Sequence, residues 1–188
     1  MCVSPSGSST ILTGSWRPDT PLEMWDLGTG KALETVEWKE SLLTSQQPCL
    51  LYASQFSKTP GNRYIAAGGS GANEARVFDR QAGAMTSHGG VGSGTALVGT
   101  VAGMARGVFA VDWSPVADLV AIGTGDGSVR ILEVVERKKG DKEDESLASG
   151  PALEEISAPK AAEEDEEVEA EPERDVWDEA KDGKSDEE

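Results

Sequence analysis

Residues Val108–Val134, VFAVDWSPVADLVAIGTGDGSVRILEV, decide how this chain folds. Val108–Trp113 is apolar and alternating, and Ser114-Pro115 turns it. Leu119–Ile122 is a second apolar run, and Gly123–Gly127 turns the chain again. Val129–Val134 is a third, with Arg130, Leu132 and Val134 on one face and Val129, Ile131 and Glu133 on the other. Short β-branched runs bounded by Gly, Pro and Asp predict a meander. Asp126-Gly127 predicts a type I′ hairpin, which needs positive φ at both residues.

The same unit recurs twice upstream. The middle strand reads TILTGS at 10–15, YIAAGG at 64–69 and LVAIGT at 119–124. The strand after it reads LEMWD at 22–26, ARVFD at 75–79 and VRILE at 129–133. The strand before it ends in VSPSG at 3–7, FSKTPG at 56–61 and WSPVA at 113–117. Trp25, Phe78 and Leu132 therefore recur at spacings of 53 and 54 residues. Leu50–Phe56 opens the second unit, and Lys31–Val36 and Ala96–Val101 read as fourth strands. Gly68–Gly71 reads as a wide turn between strands.

These ordered elements resemble the WD40 repeat family. The resemblance rests on Trp25-Asp26, with Phe78-Asp79 and Leu132-Glu133 as softened versions, on the turn residues Asp19 and Asp126-Gly127, and on Ser4-Pro5 and Ser114-Pro115. It covers residues 1–134 and implies an all-β fold: a partial β-propeller of about three blades, at 1–36, 48–103 and 104–134, the first one truncated. The departures are specific. The only histidine is His88, so the family's Asp-His-Ser/Thr-Trp network is incomplete, with Asp19, Thr13 and Trp25 available for a partial one. Ala72 stands where the second unit would carry its turn aspartate. Inserted loops at Trp38–Gln47 and Met85–Ala96 lengthen the period beyond the ~40–45 residues usual for such repeats.

Charge divides the chain. Residues 1–134 carry 12 acidic and 9 basic side chains, whereas residues 135–188 carry 22 and 8. The body has no basic face for nucleic acid. The tail has too few apolar residues to offset the entropy of ordering, so disorder is expected over 135–188, with no fourth strand after Val134. Within it, Val176 and Trp177 form an aromatic docking peptide candidate in Asp175–Asp178.

Other chemistry is excluded by motif. GGVGSG at 89–94 lacks the Lys and Ser/Thr of a phosphate loop. Neither a catalytic constellation nor clustered metal ligands can be read from the sequence, so no enzyme activity, cofactor or metal is expected. Asp26 and Asp79 read as strand terminators. Cys2 and Cys49 are too few for a disulfide framework and read as buried thiols in a reducing, cytoplasmic setting. A cytoskeletal or ciliary setting follows only by analogy with the family. No apolar run is long enough for a membrane helix.

The expected function is a protein-interaction scaffold within a larger assembly. The alternative is an acidic tail that shields basic proteins such as histones or ribosomal proteins. Because fewer than four blades are not expected to close a ring, three completions stand open: upstream blades of a longer propeller, another chain, or self-association through open edges. The start within the first strand favours upstream blades.

Overall fold

The first sheet pairs β1 (Cys2–Val3), β2 (Thr10–Gly14), β3 (Leu22–Asp26) and β4 (Ala32–Thr35) in chain order. The second pairs β5 (Leu50–Phe56), β6 (Tyr64–Ser70), β7 (Ala75–Asp79) and β8 (Ala96–Val101), and the third β9 (Val108–Trp113), β10 (Leu119–Thr124), β11 (Val129–Arg137) and β12 (Gly150–Glu155). Every pairing is antiparallel. The structure is a computed structural model describing residues 1–5, 7–38, 48–82, 94–137 and 150–156, and no α-helix occurs among them. Met1–Ser157 forms one compact unit. His88, most of the glycine-rich loop, and Val176 and Trp177 lie outside the described residues.

One cross-strand row repeats in each sheet. Val3, Ile11 and Trp25 are register partners in the first, Phe56, Ile65 and Phe78 in the second, and Trp113, Val120 and Leu132 in the third. The second row packs with Leu12, Leu22 and Met24 of the first sheet. The third packs with Tyr64, Ala66 and Val77 of the second. Two apolar cores therefore lie between successive sheets, and each fully buried aromatic in them contributes roughly 1.5–3 kcal/mol. The residue after the first strand closes each blade's first hairpin: Ser4, Ser57 and Ser114 donate their N–H to Thr10, Tyr64 and Leu119 at 2.9, 2.8 and 2.9 Å.

Polar clamps join the second and third sheets. Lys58 bonds Asp112 at 2.6 Å, and Thr59 bonds Asp118 at 2.7 Å. Arg63 holds Asp79 at 2.7 Å and also bonds Glu136, which raises its own pKa. Tyr64 stacks on Trp113 with ring centroids 6.1 Å apart, and burial pushes its hydroxyl up to about 12. Between the first two sheets, Asn62 donates to the Ser4 hydroxyl at 2.9 Å.

Several sequence expectations are corrected. A fourth strand does follow Val134: β11 runs on to Arg137, and β12 pairs Val134 with Leu153 and Arg137 with Gly150. Disorder over 135–188 therefore does not hold at Val135–Arg137 or Gly150–Glu155. The single large apolar residue Leu153 fits over Gly99 of β8, where a Cβ would lie 2.9 Å from its Cδ1. Pro151 is tolerated because β12 is an edge strand. Gly68 and Gly69 belong to β6 and make no turn. They are glycines because neighbours approach closely: a Cβ on Gly69 would lie 1.9 Å from the Leu50 carbonyl oxygen. The turn falls later, with positive φ at Gly71 and Asn73. The β10–β11 hairpin is not type I′. Gly127 has φ 87° while Asp126 is not in the positive region, and Gly127 N–H donates to Thr124 O at 3.2 Å. This is a three-residue loop with a glycine bulge.

Candidate protein-binding surface

Tyr52 and Phe109 occupy equivalent places in two blades, each four residues before the aromatic that ends its strand (Phe56 and Trp113). Both sit where the pairing register shifts, between Leu51 and Ala53 and between Val108 and Ala110. A bulge leaves one residue unpaired and re-aims its side chain. The two rings therefore turn outward, 42% and 55% exposed. Trp16, just beyond β2, is 62% exposed.

The three rings form one row across three blades. The Trp16 and Tyr52 centroids are 5.3 Å apart, edge to face, and Tyr52 and Phe109 are 5.0 Å apart, tilted. Such pairs contribute about 0.5–1.5 kcal/mol beyond area burial, so the row holds its shape while facing solvent. Gly125 makes room for the Phe109 ring, since a Cβ there would lie 2.6 Å from Cε2. Arg17 marks one end of the row, paired with Glu23, while exposed Arg106 and Asp126 mark the other. Rigid aromatics rimmed by charge have the composition of protein-binding hot spots. Neither Tyr52 nor Phe109 was singled out from sequence. Their shared position four residues before the strand-ending aromatic is the signal that would have found them.

The repeat residues named from sequence are structural. Trp25 Nε1 donates to the Thr13 hydroxyl at 3.1 Å, and Thr13 in turn donates to the Glu23 carbonyl at 3.3 Å. Asp19 is exposed and is not joined to that pair. Asp26 accepts from Gly28 and Thr29 N–H at 2.7 and 3.0 Å, and Asp79 accepts from Gln81 N–H at 2.8 Å, so each caps the turn after its strand. Phe78 is core. Asp126 accepts from Ser128 N–H at 2.9 Å and from the Thr124 hydroxyl, and hydrogen bonds from Ser128 and Thr124 hold its carboxyl down at about 2. Gly127 supplies the positive φ of that turn.

Trp38, read from sequence as the start of a polar loop, instead packs against the first core. Its ring lies 5.8 Å from Phe78 and carries the Arg76 guanidinium at 4.6 Å, while Nε1 donates to Glu74 at 3.2 Å. Glu74 and Arg76 form a buried ion pair at 2.7 Å. Cys49 is buried beside them, and burial pushes its thiol up to about 11, which suppresses thiolate chemistry. Cys2 is only partly buried, and both thiols are free. Among the described residues no group of three or more potential metal ligands occurs, and no helix is long and apolar enough to cross a membrane.

Three consecutive four-stranded meanders, each packed on the next by the same row, define a partial β-propeller of the WD40 type. Among solved structures, the chain is similar to the crystal structure of Saccharomyces cerevisiae Sqt1, with a TM-score of 0.57 and 14% identity. The match covers 83% of this chain and 33% of that one, so this chain spans about a third of its length. No protein-family model and no curated protein matches the sequence.

Proposed function

We propose that this chain is a non-enzymatic protein-interaction scaffold whose partners engage the Trp16–Tyr52–Phe109 row. One observation carries the reading: equivalent bulges in two blades expose Tyr52 and Phe109 in ring contact with each other. A partner covering the row would bury rigid rings with little side-chain entropy to lose. Two free thiols are in keeping with a reducing, cytoplasmic setting.

A second reading places the work in the acidic segment, and the excess of 22 acidic over 8 basic residues in 135–188 supports it. The partners would then be basic proteins, and binding would weaken with salt. A cut at Val134 does not separate the readings, because it removes β12 and the end of β11. The cut belongs after Ser157.

The test is quantitative affinity capture from cells with three proteins: wild type, the variant Trp16→Ala/Tyr52→Ala/Phe109→Ala, and the chain cut after Ser157. Circular dichroism confirms folding of each. The scaffold reading expects the triple variant to lose its principal partners and the cut chain to keep them. The reverse pattern establishes the acidic reading.

A further inference from the structure

The geometry of the Trp16–Tyr52–Phe109 row restricts what can lie on it. Its ring centroids step by 5.3 and 5.0 Å, so adjacent rings touch and no hollow opens between them. A cation enclosed by rings therefore has no seat here. The row is one ring wide, and its two steps cover about one turn of a polyproline II helix, roughly 9 Å at three residues per turn. Two hydrogen-bond donors sit on the rings. Among the described residues neither the Trp16 indole N–H nor the Tyr52 hydroxyl is engaged, and both rings are exposed.

These donors need acceptors on a partner. An α-helix engages its backbone carbonyls internally, whereas a polyproline II segment leaves every carbonyl open. An added β-strand also has open carbonyls, but it needs a regular edge to pair with. The edges of β5 and β9 are interrupted by the bulges at Tyr52 and Phe109. Charge then gives the row a direction. At the Phe109 end Arg106 is exposed and has no ion-pair partner among the described residues, and its Cβ and the Phe109 ring flank the same space over Gly125. Asp126 at that end already accepts from Ser128 and Thr124, and Arg17 at the other end is paired with Glu23. The uncommitted charge along the row is thus positive and lies beside Phe109.

We infer that the row takes a proline-rich segment of a partner protein in the polyproline II conformation, with an acidic residue of that segment at the Arg106 end. Its prolines pack on the ring faces, and the Trp16 N–H and the Tyr52 hydroxyl donate to its carbonyls. The rings are rigid and the segment is already extended, so little conformational entropy is lost on binding. This inference rests on the row being the partner-binding surface, as proposed above.

The test is fluorescence anisotropy of labelled synthetic peptides with the full-length chain. The peptides are a proline decamer, the same decamer with Asp or Lys added at either end, and a Gly-Ser decamer. The proline decamer is expected to bind and the Gly-Ser decamer not to. One of the two Asp placements should tighten binding about two- to fivefold, and Arg106→Glu should abolish that gain. Trp16→Ala should weaken binding of the proline decamer by at least about tenfold, and Tyr52→Phe, which keeps the ring and removes the hydroxyl, by a smaller factor. All three positions are exposed, so the variants should keep wild-type circular dichroism. Proline binding no better than that of Gly-Ser, or proline binding that survives Trp16→Ala, overturns the inference. A larger gain from Lys than from Asp also overturns it and assigns the row to cationic segments. The capture experiment above keeps the two readings apart. Partners lost by the triple variant, with no proline binding here, leave the row as the binding surface and remove this ligand; partners kept by the triple variant remove the row itself.

Discussion

Asp126 lies in solvent and still organises its turn, because its carboxylate is the common acceptor for Ser128 and Thr124. A carboxyl held at about 2, against ~3.9 in an unfolded chain, adds stability that is present above the unfolded value. That stability is lost as pH falls through about 2. Thermal unfolding of wild type and Asp126→Asn should therefore differ most at pH 6, and the gap should close by pH 2. A gap that widens on acidification would refute this role. Glu74 is the opposite case, buried and paired with Arg76 beneath the Trp38 ring. Glu74→Ala leaves the guanidinium without that partner in the core and is expected to cost about 3–5 kcal/mol in urea unfolding. Adding Arg76→Ala should recover part of the loss, since the buried charge that lost its carboxylate is then gone. A double variant less stable than Glu74→Ala would show that the two side chains act separately.

At the scale of the strand, Gly69 shows how a composition cue misleads. Its place in a Gly-Gly-Ser-Gly run reads as a turn, yet the backbone is extended and Leu50 presses on it. Gly69→Ala forces β5 and β6 apart and should cost at least about 1–3 kcal/mol, while Gly94→Ala, in open space, should be neutral. Equal effects at the two sites would contradict the close-approach explanation. Strand order was legible because the repeated unit carries an apolar residue at fixed spacing, as in Trp25, Phe78 and Leu132. β12 was not. Its six residues, GPALEE, carry one large apolar side chain, and the strand is specified by non-local pairing with β11 and by the space over Gly99. Cutting the chain after Val134 should therefore lower the melting temperature, whereas cutting after Ser157 should not; the reverse order would remove β12 from the fold. Tyr52 and Phe109 share a repeat position that the sequence carries, but their exposure does not follow from it. A bulge depends on how two strands pair, which local alternation does not record.

On the scale of the whole molecule, the repeated unit explains both what is packed and what is open. The same row that buries Phe78 against one neighbour leaves Trp25 half-covered, and the same face that buries Val77 leaves Ile131 exposed. Stability is accordingly expected to concentrate in the second sheet, which is covered on both sides. The chain builds three four-stranded blades, the first with an edge strand of only two residues and the last closed by a strand from its acidic segment. Amide hydrogen exchange of the full-length chain, read by mass spectrometry, tests this most directly. The account expects the strongest protection in β5–β7, with clear protection in β9–β11 and also in Gly150–Glu155. Exchange of Gly150–Glu155 at the rate of an unstructured peptide, or protection confined to a single sheet, would contradict it.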